Sequence, residues 1–432
     1  MTITIVGHGY VGLVSACAFA DFGNTVYVIG HTQEKLHRLR NGDPIIYEPG
    51  LKEVLQKNNK AGRLIFTSEY PEAISKSEVV FITVGTPPKK NGDADLSTVF
   101  HVAKNVAQHL TSPFTVVSCK STVPVGTNKE IEKIIQTHKK NTVDFAVASC
   151  PEFLREGSAL HDTFQADRVV IGSESKRAID LLLKLHAPIP GKKVVTDLAS
   201  AELIKYTSNS ILATKISFAN LISFYCEKTG ANVEMVLDAV GLDKRIGRVF
   251  MDPGVGYGGS CFPKDVKALI STGKHLGIDT KLLEAVDEIN EFARQNLLHK
   301  ILSYSPGKKV AIWGLSFKPN TDDIRFAPSV DIIKSLLEKG YALTVYDQEG
   351  MENIRKMFQD SISYAHKALD ALTDADALVV LTDWNEFKQV DLKQVKSIMR
   401  NPVIFDGRNM FDMQLMKSEG FTYYSTGRNP IT

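Results

Sequence analysis

Cys261 follows Gly256-Tyr257-Gly258-Gly259-Ser260, and Lys264 and Asp265 come just after it. A structural cysteine is usually packed among large apolar residues, whereas this one follows small ones. A flexible, side-chain-poor loop lets a substrate approach the sulfur, and a neighbouring lysine favours the thiolate. Asp265 could tune that lysine or another base. The chemistry on offer is nucleophilic capture of an electrophilic carbon. A plain structural thiol is the alternative, and loop composition alone does not choose.

Two further groups have suitable types and spacing. Glu202, Lys205 and Asn209 lie at i, i+3 and i+7 of a helical run, so they share a face. A lysine and an amide there can donate to a developing oxyanion, or can simply satisfy loop carbonyls. Glu152 and Glu156, in Cys150-Pro151-Glu152-Phe153-Leu154-Arg155-Glu156-Gly157, follow the strand-like Asp144–Ala148. Ligands gather at the carboxyl ends of such strands. Thr122, before Pro124, and Gly85-Thr86-Pro87 also follow strand-like runs.

A dinucleotide site is indicated at the start of the chain. Gly7-His8-Gly9-Tyr10-Val11-Gly12 fits G-x-G-x-x-G, after a strand and opening a helix. The glycines permit a tight turn against a pyrophosphate, and the helix N-terminus supplies N–H groups. The acid that should hold the adenosine ribose after the second strand is absent, and Gly30-His31-Thr32 stands there. Backbone groups could hold the ribose instead, or Thr32, Lys35 and Arg38 could accept a 2′-phosphate. NAD is the expected cofactor, with NADP left open.

These groups need a scaffold, and the pattern supplies one. Thr2–Val6, Thr25–Ile29, Val79–Val84, Phe114–Ser118 and Asp144–Ala148 read as strands alternating with helices, which implies βαβ units and a parallel sheet. Residues 199–228 form a long helical run, apolar on most sides in its second half, as for a helix buried between domains. The α/β pattern restarts after Ser305-Pro306-Gly307 and ends at Val403–Phe405. The expected architecture is two Rossmann-like doubly wound parallel-sheet domains joined by a long buried central helix. Its regions are 1–198, which carries the dinucleotide motif, 199–300, which carries the long helix and the Cys261 loop, and 301–432, the second α/β region.

Composition bounds the partners. The net charge of +2, with scattered lysines and arginines, gives no nucleic-acid or acidic-lipid footprint. The start MTITIVG lacks an export signal, and no run suits a membrane span. Five scattered cysteines argue for a reducing cytoplasm, and none has metal-site spacing.

Taken together, GHGYVG (7–12), YEPGL (47–51), VGTP (84–87), KSTVPVGT (120–127), PEFLREGSALHD (151–162), AELIKYTSN (201–209), GGSCFPKD (258–265), GLSFKPNTDDIR (314–325) and FDGRN (405–409) resemble the nucleotide-sugar dehydrogenase family, in particular its UDP-glucose 6-dehydrogenase branch. The resemblance covers nearly the whole chain. It implies oxidation of a sugar CH2OH to a carboxylate through two hydride transfers to NAD. Cys261 would form a thiohemiacetal and then a thioester. Lys205 and Asn209 would stabilise the oxyanion. Asp265 would act with Lys205 and water on the alcohol proton, and Glu152 as base for thioester hydrolysis.

The same resemblance puts Thr122, Glu156, Lys264 and Arg325 on the cofactor side. Glu152, Phe153, Leu154, Phe250, Tyr257, Gly258, Phe317, Lys318 and Arg408 would line the UDP-sugar pocket. Arg245 would reach a partner subunit's substrate site in a homodimer. Cys150 stands where the family usually has asparagine, and is expected to be a structural neighbour. The alternatives are a sibling acting on GDP-mannose or a UDP-N-acetylhexosamine, and a non-catalytic dinucleotide sensor.

Overall fold

The computed structural model describes residues 1–140 and 142–432. The chain divides into two compact units, Met1–Ser208 and Asn209–Thr432. The first is built on eight strands: β1 (Thr2–Val6), β2 (Thr25–Ile29), β3 (Leu64–Thr67), β4 (Val79–Ile82), β5 (Phe114–Cys119), β6 (Asp144–Ser149), β7 (Arg168–Gly172) and β8 (Lys192–Thr196). Their order is β3-β2-β1-β4-β5-β6-β7-β8. All neighbours are parallel except β6 and β7, which meet antiparallel at Ser149 and Gly172. Strands such as Val79–Ile82 are buried throughout, which is why they read as unbroken apolar runs.

The second unit holds β9 (Lys309–Trp313), β10 (Ala342–Tyr346), β11 (Ser363–Tyr364), β12 (Ala377–Val380), β13 (Val403–Asp406) and β14 (Thr422–Tyr424). Their order is β11-β10-β9-β12-β13-β14, parallel throughout. The expected end of the series at Val403–Phe405 is therefore wrong. β14 extends the sheet, and its three residues are too few to show a period.

The helix Leu198–Thr229 runs for 32 residues without Gly or Pro. It stops at Gly230, whose φ of 80° suits a left-handed cap. The long central helix, apolar on most sides of its second half as expected, also presents an exposed face. Leu203, Ile211, Phe218 and Tyr225 are exposed, Tyr225 by 64%. The helix has a core stripe and an uncovered apolar stripe, and both contribute to its apolar composition. Among the described residues no helix is long and apolar enough to cross a membrane.

Candidate active site

In the first unit β1 runs into a cradle. Gly9 precedes the helix Tyr10–Asp21, whose first-turn N–H groups have no intrahelical acceptor. A Cβ on Gly12 would lie 2.0 Å from the Gly7 carbonyl oxygen, so helix and turn meet at backbone distance. A Cβ on Gly9 would meet nothing within 4 Å, so the cradle is open there. At the end of β4 the Thr83 hydroxyl donates to the carbonyls of Val6 and Gly7, at 3.0 and 3.1 Å. The open glycine and the helix N-terminus fit a dinucleotide pyrophosphate.

Of the other residues assigned to this site, Val11 is half-buried, and Thr32 and Lys35 are exposed. Arg38 pairs with Asp43 at 2.7 Å. Tyr10 is held from behind: its hydroxyl donates to the Glu48 carboxylate. Gly157 N–H donates to the Tyr10 hydroxyl at 2.8 Å and to Glu48 at 2.7 Å. Leu160 N–H reaches Glu48 at 3.2 Å. Glu48 thus ties the cradle to the segment carrying Glu152 and Glu156. Sequence reasoning quoted Glu48 within a motif but gave it no task.

The loops after β4 and β5 brace one another. Thr86 donates to the Thr122 carbonyl at 2.9 Å, and Ser121 to that of Val84 at 2.6 Å. Gly85 faces open space. Lys205 pairs with Glu152 at 3.0 Å, with side chains 4% and 6% exposed. The other Glu152 oxygen accepts from Leu154 N–H at 2.5 Å. Phe153 lies beneath Lys205 and Arg168. In a buried pair of this kind each charge offsets part of the desolvation cost of the other.

Glu202 does not join Lys205 as a set. Its buried carboxylate accepts from Gly126 N–H, Asn128 N–H and the Asn128 amide, each at 2.7 Å, at the start of the helix Thr127–His138. Cys150 is buried, and burial pushes its thiol up, which makes it inert as a nucleophile. Burial also holds Lys120 below the usual lysine range.

In the second unit Cys261 is the residue before the helix Phe262–His275 and is partly exposed. Asp265, one turn on, is 1% exposed. Its carboxylate accepts from the Asn209 amide at 2.5 Å and pairs with Lys264. Acid, amide and ammonium therefore form one cluster a turn from the sulfur.

The side-chain-poor loop before Cys261 is packed against other parts of its own unit. Residues 253–259 are buried. A Cβ on Gly258 would lie 2.3 Å from the Phe326 carbonyl oxygen, and one on Gly256 2.7 Å from the Asn290 side-chain oxygen. The glycines fit the loop to its own protein, leaving the thiol as its partly open end. Asn290 accepts from Tyr257 N–H at 2.7 Å and donates to the Tyr257 carbonyl at 3.1 Å. Nothing local in the sequence points to that clamp. Phe250 and Tyr257 each pack edge-on against Phe262. Arg245 is exposed and paired with Asp243 at 2.6 Å.

Beside this loop, Gly259 N–H donates to the Arg325 carbonyl at 2.9 Å, while the Arg325 side chain is held by Asp323 at 2.7 Å. Arg408 donates to the carbonyls of Leu381 at 2.8 Å, Phe317 at 3.0 Å and, more weakly, Gly256 at 3.4 Å. Burial pulls its pKa down, and the nearby Asp383 and Asp406 carboxylates oppose that shift. Lys318 lies over the Phe317 ring.

Three family models cover most of the chain. They are the NAD binding domain (residues 1–190), the central domain (199–292) and the UDP binding domain (311–413) of the UDP-glucose/GDP-mannose dehydrogenase family. The chain belongs to this family. NAD is its cofactor, and the cradle after β1 lies in the NAD binding domain. Within the family it is 45% identical to the UDP-glucose 6-dehydrogenase TuaD of Bacillus subtilis (strain 168), over 99% of this chain and 94% of that protein. A UDP-glucose dehydrogenase structure from the archaeon Pyrobaculum islandicum superposes with a TM-score of 0.91 at 38% identity, covering 98% of this chain and 97% of that one. A UDP-D-ManNAc dehydrogenase structure from Pyrococcus horikoshii gives 0.85 at 27%, covering 99% of each.

Proposed function

We propose that this family member oxidises UDP-glucose to UDP-glucuronate. One UDP-glucose, one water and two NAD+ give one UDP-glucuronate, two NADH and three protons. The observation that carries the reading is the 45% identity to a UDP-glucose 6-dehydrogenase along almost the entire chain. The lower identity to the UDP-D-ManNAc enzyme, 27% against 38% for the UDP-glucose enzyme of known structure, favours glucose over the N-acetylated sugar. NAD, when bound, accepts the hydride in each of the two oxidations.

The chain's residues do the rest. Asp265, steadied by Asn209 and Lys264, takes the alcohol proton through water together with Lys205. The Cys261 thiolate adds to the aldehyde carbon, and the oxyanion formed is met by Lys205 and Asn209, four residues apart on one helix. After the second oxidation a thioester remains on Cys261. Glu152, paired with Lys205, draws a proton from the water that cleaves it, and the thiolate leaves. Lys318 and Arg408 hold the diphosphate. Phe153, Leu154, Phe250, Tyr257, Gly258 and Phe317 shape the sugar-nucleotide site. Thr122, Glu156, Lys264 and Arg325 attend the cofactor.

The working unit in this reading is a cytoplasmic homodimer, organised as a dinucleotide region (1–198), a central region (199–300) and a UDP-sugar region (301–432). The uncovered stripe Leu203, Ile211, Phe218 and Tyr225 supports an apolar partner surface, and Arg245 is exposed to reach the partner's site. The deciding experiment mixes the protein and NAD with UDP-glucose, GDP-mannose and UDP-N-acetylhexosamines in turn. Two NADH per UDP-glucose is the expected result. NADH with GDP-mannose alone would move the chain to a sibling activity, and none with any sugar would make it a sensor.

A further inference from the structure

Residue 30 follows β2, where a dinucleotide-binding sheet ordinarily presents the acid that bonds the adenosine ribose. Here a Cβ on residue 30 would lie 2.7 Å from His8 Cδ2 and 3.0 Å from His8 Nε2. The imidazole therefore fills the space from which an acidic side chain would start. His8 Nε2 is buried and has no hydrogen-bond partner. A polar atom left so in a ligand cradle is expected to find its partner in the ligand.

We propose that His8 takes the place of the missing acid and hydrogen-bonds the adenosine ribose hydroxyls of NAD, and that positions 8 and 30 are coupled through the space they share. The proposal rests on NAD occupying the cradle after β1. Burial, then the nearby Lys35 and His31, holds the His8 pKa below its usual value, so the ring is neutral at pH 7. A neutral imidazole presents a donor or an acceptor according to tautomer, and a ribose hydroxyl complements either. A 2′-phosphate would ask for a cation at that atom. The ring thus serves the unphosphorylated cofactor and explains a glycine where the acid is expected.

Calorimetry of the cofactor-free protein with NAD, NADP and ADP-ribose tests this apart from turnover. His8→Phe keeps a ring over Gly30 and removes the nitrogen. It is expected to weaken NAD and ADP-ribose about five- to tenfold, the value of one hydrogen bond. 2′-Deoxy and 3′-deoxy NAD should bind the wild type more weakly than NAD in at least one case, and that gap should close in His8→Phe. Gly30→Asp should not improve binding beside His8, but should restore it in a His8→Ala background. His8→Phe binding as wild type, or tighter wild-type binding of NADP than of NAD, would overturn the proposal. Failure of the wild type to bind NAD or ADP-ribose would instead overturn the cradle reading on which it rests.

Discussion

The first six strands of the N-terminal sheet and the six strands of the C-terminal sheet share one order, β3-β2-β1-β4-β5-β6 against β11-β10-β9-β12-β13-β14. Each has a loop after its first strand, and an acid is expected after its second. In the N-terminal sheet that acid is absent and the loop is open over Gly9. In the C-terminal sheet the acid is present as Asp347, 1% exposed, but it is turned onto its own loop. It accepts from Leu315 N–H at 2.6 Å, Ser316 N–H at 3.1 Å, Gly350 N–H at 2.7 Å and the Trp384 indole at 3.0 Å. The N–H groups that a pyrophosphate would need are already satisfied within the protein. One topology thus yields an open dinucleotide cradle and a closed loop, and the direction in which a carboxylate or imidazole faces makes the difference.

The comparison can be broken at several points. Asp347→Ala leaves buried N–H groups without acceptors, and is expected to cost about 4 kcal/mol in urea unfolding while leaving NAD affinity as it was. A loss below about 1 kcal/mol would mean that the carboxylate is not what closes that loop. Gly9→Val enters open space, so the melting temperature should hold while NAD binding falls about a hundredfold, or ~2.7 kcal/mol. Unchanged NAD binding would remove the cradle from the account.

Asn290→Ala removes its own two hydrogen bonds to the Tyr257 backbone next to the thiol loop, leaving the Tyr257 carbonyl with Arg294 at 3.0 Å. About 2 kcal/mol of stability should be lost. kcat should fall more than the UDP-glucose affinity, because the loop positions the sulfur.

The smallest effect is one of pH. His186 is buried beneath the N-terminal sheet, and burial lowers its pKa to about 3. A base depressed when folded keeps its stability contribution above the unfolded value, about 6.5, and loses it as pH falls toward 3. Between pH 6.5 and 5 the loss is about 1.5 kcal/mol. His186→Gln should flatten that slope; an equal slope in the variant would assign the acid sensitivity elsewhere.

Much of this was legible in the sequence for a physical reason. Strands buried on both faces are mostly apolar and β-branched, so β1 and β2 could be bounded to the residue. β3 and β8 escaped because they are half-covered, and β14 because it is short. Cys261, Lys205 and Glu152 stood out through unusual neighbours or placement at strand and helix ends. Asn290 and Asp347 did not, since each acts on backbone far away in sequence or on a loop without a motif. The glycines before Cys261 were visible, but their reason was not: they meet Asn290, Phe326 and Phe317, contacts that only the fold creates.

The covalent role of Cys261 is the central claim, and peptide mass mapping tests it most directly. Glu152→Gln, mixed with UDP-glucose and NAD and quenched in acid, should slow hydrolysis and leave a UDP-glucuronyl thioester on the peptide containing Cys261. Cys261→Ser should show no such adduct and make acid at least about a thousandfold more slowly. Full acid production by Cys261→Ser, or an adduct on any other residue, would contradict the account.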